Sequence, residues 1–531
     1  MFDLGRTPVY FGGDEAHFAV VGHAIATTGR NLNGDLMPLF FNLADPASDL
    51  GPLPWGNTWY QPLLFYIVAA TLTVAPLSEF AVRLPVAIVG GVITPILLYL
   101  VALRLFKRRG LALFSAVVLA LCPPHVILSR QALDYVCPLP FMLGWFWFLL
   151  DYADTRRLKS VVLAGLCLGL GFYSYIASWV MMPIYLALSA IVYWRSGRPF
   201  DSPSGSGASP DGSLRAGVAR PLVASTLGFI VPLLVFVPWL WAHPAMLRET
   251  FDRYQMSDQD QVSMIQEPGS ALRLDKLAAT VSTYWSHFDP AFLFMIGGPS
   301  MTTSTGRVGV FLLPLALLLP LGVFTMLRRP DPFGFHAVIL LAVVTAPLAA
   351  TLKGQPFSVQ RILFMLPFAA LIAAFGVDWL WQGRSRAARA AAIVLVAGVP
   401  LHFAVFYRDF FTHYKLRSAF YYDPAAFADV AAYLIADEGA PLIYLSHEID
   451  DVGAKWRYYT TRDRRQDKMA RTRYVMNDGL DIGPSDPGSL LAVHMKAAEL
   501  AALEQSGLWK IEKVVSDVDN RPTVAILRKL R

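Results

Sequence analysis

Two adjacent carboxylates in Gly12-Gly13-Asp14-Glu15-Ala16-His17 are the residues best placed for chemistry in this sequence. They follow a glycine pair and open an apolar-periodic run through Phe18, Val21 and Ile25 that stops at Gly29. The pattern predicts a helix with Asp14 as its N-cap and Glu15 in the first turn. Capping and dipole complementarity explain such a pair without any function. The same helix start would hold Asp14 ionised, and an ionised carboxylate can orient or deprotonate an acceptor hydroxyl. Two further charged residues stand where apolar runs begin. One is Asp134, in Ser129-Arg130-Gln131-Ala132-Leu133-Asp134-Tyr135; the other is Arg361, in Ser358-Val359-Gln360-Arg361, ahead of Pro367. Arginine at a membrane boundary often only reaches toward headgroups. Its planar fork also suits a phosphate.

Other patterns lead nowhere. Asp258-Gln-Asp260 has the form of a sugar-nucleotide carboxylate pair but lacks a flanking strand and a soluble nucleotide domain. His17, His23, His125, His287 and His336 show no metal-ligand spacing, and no glycine loop suited to ATP appears. Cys122, Cys137 and Cys167 lie in or beside apolar runs and read as buried packing thiols.

The elements that position the charged residues are membrane spans. Of 531 residues, 55% are hydrophobic and 16% charged, with a mean hydropathy of +0.46, a balance that takes lipid as solvent. A span needs about 20 apolar residues. About ten such stretches occur: Val82–Phe106, Leu111–Leu128, Cys137–Asp151, Leu158–Ile176, Ser178–Trp194, Pro221–Trp241, Val308–Leu327, Phe335–Leu352, Ile362–Trp381 and Ala390–Tyr407. The run Leu158–Trp194 is too long for one span and divides near Tyr175 into a tight hairpin.

With these spans, the basic clusters all fall on one side. They are Arg104 to Arg109, Arg156 to Lys159, Arg195 to Arg220, Arg328 with Arg329, and Arg384 to Arg389. The positive-inside rule makes that side the cytoplasm. The net charge of +6 is therefore a topology signal, and nucleic acid is not an expected partner. Residues 1–81, the Asp134 loop, His243–Arg307, Lys353–Arg361 and the tail fall outside. Within 1–81, Trp55-Gly-Asn-Thr-Trp-Tyr60-Gln61-Pro62 precedes an apolar segment, Leu63–Leu77, expected to lie on or dip into the membrane face. Residues 1–61 are external with no preceding span, so a first membrane helix is expected upstream of Met1. The loop Gly197–Arg220 reads as a flexible linker.

From about Arg408 the chain becomes more polar. Strands are expected at Pro441–Ser446, Arg473–Met476, Leu490–His494, Trp509–Val515 and Thr523–Arg528, and helices at Pro424–Asp437 and Lys496–Gln505. Asp519-Asn520-Arg521-Pro522 marks a turn. The fold class is an all-α polytopic membrane bundle with a small C-terminal α/β domain. Residues 1–81 form an external first loop with juxtamembrane helices, 82–407 the transmembrane core, and 408–531 the external C-terminal domain.

The sequence resembles the polyprenyl-phosphate-sugar glycosyltransferases of the membrane-embedded GT-C type, relatives of the protein O-mannosyltransferases and the lipid A aminoarabinose transferase. The resemblance rests on Asp14-Glu15, Gln61-Pro-Leu-Leu-Phe-Tyr66, Ser78-Glu79-Phe-Ala-Val-Arg83-Leu-Pro85 opening a long span, Asp134, and Arg361 six residues before Pro367. It runs in order from residue 10 to about 410, is strongest over Tyr10–Lys107 and is weak in the tail.

The resemblance implies transfer of a hexose or pentose from a polyprenyl phosphate to a periplasmic lipid, glycan or protein, at the inner membrane and by an inverting single displacement. It makes Asp14 the catalytic base with Glu15 in support. Asp134 would shape a substrate pocket, Arg361 would steady the phosphate, and Tyr60, Gln61 and Arg130 complete the substrate-binding set. Gln61 replaces the lysine that precedes proline in the aminoarabinose transferases, which argues against their donor. No nucleotide is needed, because the donor's phosphate is the leaving group; no cofactor is assigned, and a divalent metal is an option. The competing reading is a transporter or flippase, which should carry ionisable residues near mid-membrane. The span centres here are almost free of charge, with Asp378 near a cytoplasmic end. A third reading is a non-catalytic partner that only binds a lipid-linked sugar.

Overall fold

The structure, a computed structural model, describes residues 2–43, 59–196, 210–254, 274–475, 486–495 and 497–530. Residues 55–58 ahead of the Tyr60-Gln61 motif, the linker residues 197–209, and Asp258 and Asp260 lie outside the described residues. The chain forms two compact units. The first comprises Met1–Pro85, Arg130–Leu133 and Asp409–Arg531; the second comprises Val86–Ser129 and Asp134–Arg408.

The second unit is helical, and each of the ten expected stretches carries helix. Five described helices are long and apolar enough to cross a membrane: Glu79–Phe106, Asp134–Thr155, Phe335–Leu352, Met365–Gln382 and Arg386–Arg417. Val218–Leu233 and Phe236–Ala242, bent by 41°, would make a sixth. Prolines account for several departures from the expected bounds. Leu111–Leu128 is broken into Arg109–Ala120 and Pro123–Leu128 because Pro123 and Pro124 offer no N–H to continue the first helix. In Glu79–Phe106 a π turn at Val89–Ile93 precedes Pro95, and the Thr94 hydroxyl donates to the Val89 carbonyl at 2.7 Å. The hairpin divides as expected, into Leu158–Gly171 and Ser178–Ser196.

Apolar side chains gain little by leaving lipid for a helix interface, so close backbone approach must bring the helices together. A Cβ at Gly165 would stand 1.9 Å from the Ser225 carbonyl oxygen, so Leu158–Gly171 and Pro210–Leu233 meet only because that position is bare. Leu315–Arg328 meets Met365–Gln382 in the same way, a Cβ at Gly322 lying 1.9 Å from the Ile372 carbonyl. Ion pairs join the basic helix ends. Arg104 reaches Asp151 at 2.7 Å and Asp154 at 3.0 Å, and the buried Asp378 accepts from Arg108 and Arg329.

In the first unit, the helix Gly13–Thr28 ends where Gly29 turns left-handed at φ 72°. A short antiparallel ribbon, Phe41–Asn42 with Trp59–Tyr60, leads into the helix Pro62–Leu72. That segment, expected at the membrane face, buries Leu64, Phe65, Val68 and Ala69. Phe65 lies 4.5 Å from Phe18 of the first helix, centroid to centroid, and 4.2 Å from Phe41.

The tail folds into a five-stranded mixed sheet in the order Thr472–Val475, Ile443–Ser446, Leu490–His494, Pro522–Lys529, Trp509–Ser516. The first three strands are parallel and the last two antiparallel. Tyr444, Leu491, Leu500, Leu503, Trp509 and Leu527 share one core on it. The expected turn forms where Asp517 accepts from the Asp519 and Arg521 amides. The tail also holds helices that were not expected, the longest of those described being Val452–Arg462, whose aromatic and β-branched composition does not favour helix in isolation. It forms because Trp456, Tyr458 and Tyr459 are all buried, and the Trp456 indole donates to the Thr472 hydroxyl at 2.9 Å.

Candidate active site

Asp14 and Glu15 have opposite surroundings. Gly12, not Asp14, is the N-cap of the first helix. The reason is that Glu15, at the third helical position, reaches back to accept the Gly12 amide at 3.1 Å and does the capping itself. Asp14 is left exposed in the first turn. The Tyr60 hydroxyl stands 3.5 Å from its Oδ1.

Glu15 is buried, and Arg83 grips both of its oxygens at 2.7 Å. Its Oε1 also accepts the Ala132 amide at 2.8 Å, drawing the Arg130–Leu133 loop into this unit. Arg83 is fully buried and uses all five of its N–H groups: two on Glu15 and one each on the carbonyls of Leu4, Pro8 and Tyr10. Sequence reasoning gave Arg83 no role. Its signal was a lone charge at the start of an apolar span, which demands a partner.

Arg130 donates to the Phe2 carbonyl at 2.7 Å and the Thr7 carbonyl at 3.3 Å, and its guanidinium lies over Phe411 at 5.0 Å. Gln131 donates to the Tyr422 hydroxyl at 2.9 Å. Gln61 caps the helix Pro62–Leu72 through its backbone alone. Its side chain is buried, and both amide atoms lack a hydrogen-bond partner. A buried amide with neither end satisfied is costly and is what a ligand's polar group would relieve.

The C-terminal domain also reaches the first helix. His17 and Asp451 meet at 3.0 Å, both buried. Asp451 packs so close to Gly13 that a Cβ there would fall 1.7 Å from its carboxylate oxygen. Asp423 and Lys455 form a fully buried pair at 2.9 Å in the same domain. Burial, with Asp451 beside it, raises Asp450 above the usual carboxylate range. These residues carry no local motif.

The second unit holds Asp134 and Arg361. Asp134 opens a one-turn helix, Asp134–Val136, ahead of a long span. Arg361 is buried, and its Nε donates to Gln355 at 2.8 Å. Lys353 donates to the Arg253 carbonyl at 3.0 Å. Burial, then repulsion from Arg361 and Arg253, lowers the Lys353 ammonium to about 8. His287 steadies this loop: its Nδ1 lies 2.9 Å from the Thr283 carbonyl and its Nε2 accepts the Ser358 amide at 3.2 Å. The Ser358 hydroxyl is buried without a partner. Arg253, Lys353 and Arg361 thus lie near one another in this loop. Among the described residues, no group of three His, Cys, Asp or Glu side chains is placed to hold a metal ion.

Residues 60–200 match the family model of dolichyl-phosphate-mannose-protein mannosyltransferases. The structure of ArnT from Cupriavidus metallidurans bound to undecaprenyl phosphate matches with a TM-score of 0.57 at 12% identity, over 99% of this chain and 95% of that one. Its apo state gives 0.56 at 14% identity with the same coverage. The apo oligosaccharyltransferase of Archaeoglobus fulgidus gives 0.50 at 12% identity, over 90% of this chain and 62% of that one. The fold is GT-C. A search of curated proteins by sequence found no match. At these identities the structural likeness is one of fold, so roles for the GT-C residues above must come from their own geometry.

That geometry separates two jobs. Glu15 is wholly engaged in holding the helix start, while Asp14 presents a carboxylate to solvent. Removing Arg83 would leave Glu15 buried and unpaired, a loss of about 3–5 kcal/mol in comparable pairs. Arg83→Ala is expected to lower the unfolding temperature markedly in detergent. Arg83→Lys should not restore it, because an ammonium has three donors where five are used. Scanning fluorimetry of the purified variants checks this, and a wild-type transition for Arg83→Lys would contradict it.

Proposed function

We propose that this chain is a membrane glycosyltransferase that moves one sugar, a hexose or pentose, from a polyprenyl phosphate to an acceptor hydroxyl on the non-cytoplasmic side. The observation that carries the reading is the exposed Asp14 beside a fully bonded Glu15, on a chain whose GT-C fold extends over nearly its whole length. The ArnT structure with undecaprenyl phosphate and the mannosyltransferase match supply the donor class. The acceptor is a lipid, glycan or protein hydroxyl. The basic helix ends face the cytoplasm by the positive-inside rule, which leaves Asp14 and Arg361 on the other side.

In this reaction the acceptor oxygen bonds to the anomeric carbon as the bond from that carbon to the phosphate oxygen breaks. Asp14 takes the acceptor's proton, with Tyr60 near enough to orient the carboxylate. The departing polyprenyl phosphate gains a negative charge, and we assign its stabilisation to Arg361 and Lys353. A preorganised donor worth about 3 kcal/mol corresponds to a few hundred-fold in rate. The Gln61 amide is suited to a polar group of the donor sugar or phosphate, and Asp134 to a sugar hydroxyl. Glu15 supports the base through Arg83 by fixing the helix start. Arg130 serves substrate binding through the loop it anchors. No step is assigned to a metal.

The decisive experiment supplies the purified protein with polyprenyl-phosphate sugars and candidate acceptors, and follows release of the lipid phosphate. Asp14→Asn is expected to cut transfer at least ~100-fold while donor binding is retained. Full turnover by that variant would remove Asp14 from the mechanism.

A second prediction concerns pH. Lys353 is charged below about 8 and loses its proton above it. The phosphodiester donor keeps its charge across this range, so donor affinity should fall as pH rises from 7 to 9.5. Arg361→Ala should weaken binding at every pH. Lys353→Arg, whose charge does not titrate, should flatten the profile. Isothermal titration with the donor at both pH values reads this directly, and an identical slope in Lys353→Arg would place the titrating group elsewhere.

A further inference from the structure

The second unit contains a cavity of about 950 Å³ whose lining comes from the helices Arg109–Ala120, Met365–Gln382 and Arg386–Asp409. Its polar and apolar parts are segregated. At one end stand Arg108, which caps the first of these helices, Arg389, in the opening turn of the third, and Asp378 near the end of the second. The apolar wall includes Leu111, Phe114, Val396, Ala397 and Pro400. Arg389 and Pro400 lie about 16 Å apart along their helix, so the apolar wall extends roughly halfway across a bilayer's hydrocarbon. Trp381 lies at the polar end and is exposed, as an interfacial anchor would be.

The charges at that end do not cancel. Asp378 accepts from Arg108, Arg329 and Gln382, so one carboxylate faces Arg108, Arg329 and Arg389. Arg108 nevertheless keeps 54% of its side chain exposed. Arg384 in the adjoining loop and Arg386 at the start of the third helix are both exposed. Arginine forks beside an apolar trough open to lipid are matched by a molecule with an anionic phosphate at one end and a hydrocarbon chain at the other.

We propose that this groove binds one anionic phospholipid of the cytoplasmic leaflet, with its phosphate on Arg108 and Arg389 and one acyl chain along Phe114, Val396 and Pro400. The site is built from other residues than those proposed for transfer and lies at the opposite, basic helix ends. An occupant there would tie the exposed helix Arg386–Asp409 to its neighbours. The inference does not depend on the transfer reaction, only on the charge-based orientation for its choice of leaflet.

Native mass spectrometry of the full-length protein, released from detergent with equal amounts of dioleoyl phosphatidylglycerol and dioleoyl phosphatidylcholine, tests it. The wild type is expected to retain one phosphatidylglycerol in preference to phosphatidylcholine by roughly thirtyfold, as two arginine contacts of about 1 kcal/mol each would give. Arg389→Glu should abolish the preference by reversing charge at the polar end. Ala397→Trp should reduce the adduct by filling the trough, at an exposed wall position that tolerates the larger ring. Equal retention of both lipids by the wild type, or an undiminished preference in Arg389→Glu, would overturn the proposal. Displacement of the retained lipid by undecaprenyl phosphate at equal concentration would also overturn it, by assigning the groove to an isoprenoid.

Discussion

A guanidinium withdrawn from water needs a partner for each of its five N–H groups, and Arg83 obtains them from Leu4, Pro8, Tyr10 and Glu15, all near the start of the chain. The carbonyls of Leu4, Pro8 and Tyr10 close around one side, and Glu15 takes the other. The remaining lone pairs of Glu15 then accept Ala132 and Gly12. The path of the N-terminal segment, the start of the first helix and the seat of the Arg130–Leu133 loop all follow from satisfying one buried ion pair. So does the division of labour between two neighbouring carboxylates. Glu15 is held so completely that it has nothing left to offer a substrate, and it holds the backbone that presents Asp14.

The second unit solves a different problem. Helices in lipid have no hydrophobic drive toward each other, and bare positions such as Gly165 and Gly322 let backbone meet backbone instead. Charges are confined to the ends. Asp378 is tolerated near one end because two arginines and a glutamine surround it. Lys353 and Arg361 are close enough for Arg361 to lower the Lys353 ammonium, after burial itself.

The C-terminal domain is more than a cover. Its Asp451 packs on Gly13 and bonds His17, so the residue before the candidate base is fixed by a carboxylate more than 400 positions later. The glycine pair ahead of Asp14 thus has a steric reason, since any side chain at Gly13 would displace that carboxylate. The buried Asp423–Lys455 pair stiffens the same region from within the domain.

Hydropathy was enough to read the apolar helices and the hairpin near Tyr175, because lipid imposes a length and a polarity that any sequence must display. Alternation of apolar residues was enough for the five strands of the tail. The Asp14-Glu15 pair was visible as well, but the expected cap at Asp14 was not borne out, since Gly12 is the N-cap and Glu15, held by Arg83 and Ala132, accepts its amide. The helix Val452–Arg462 was hidden because its residues favour strand until burial of Trp456 and Tyr458 overrides them. The cation cluster at Lys353 and the His17–Asp451 contact were hidden for a simpler reason. Their members are far apart in sequence, and only folding gives them a common neighbourhood whose low dielectric makes each charge matter to the next.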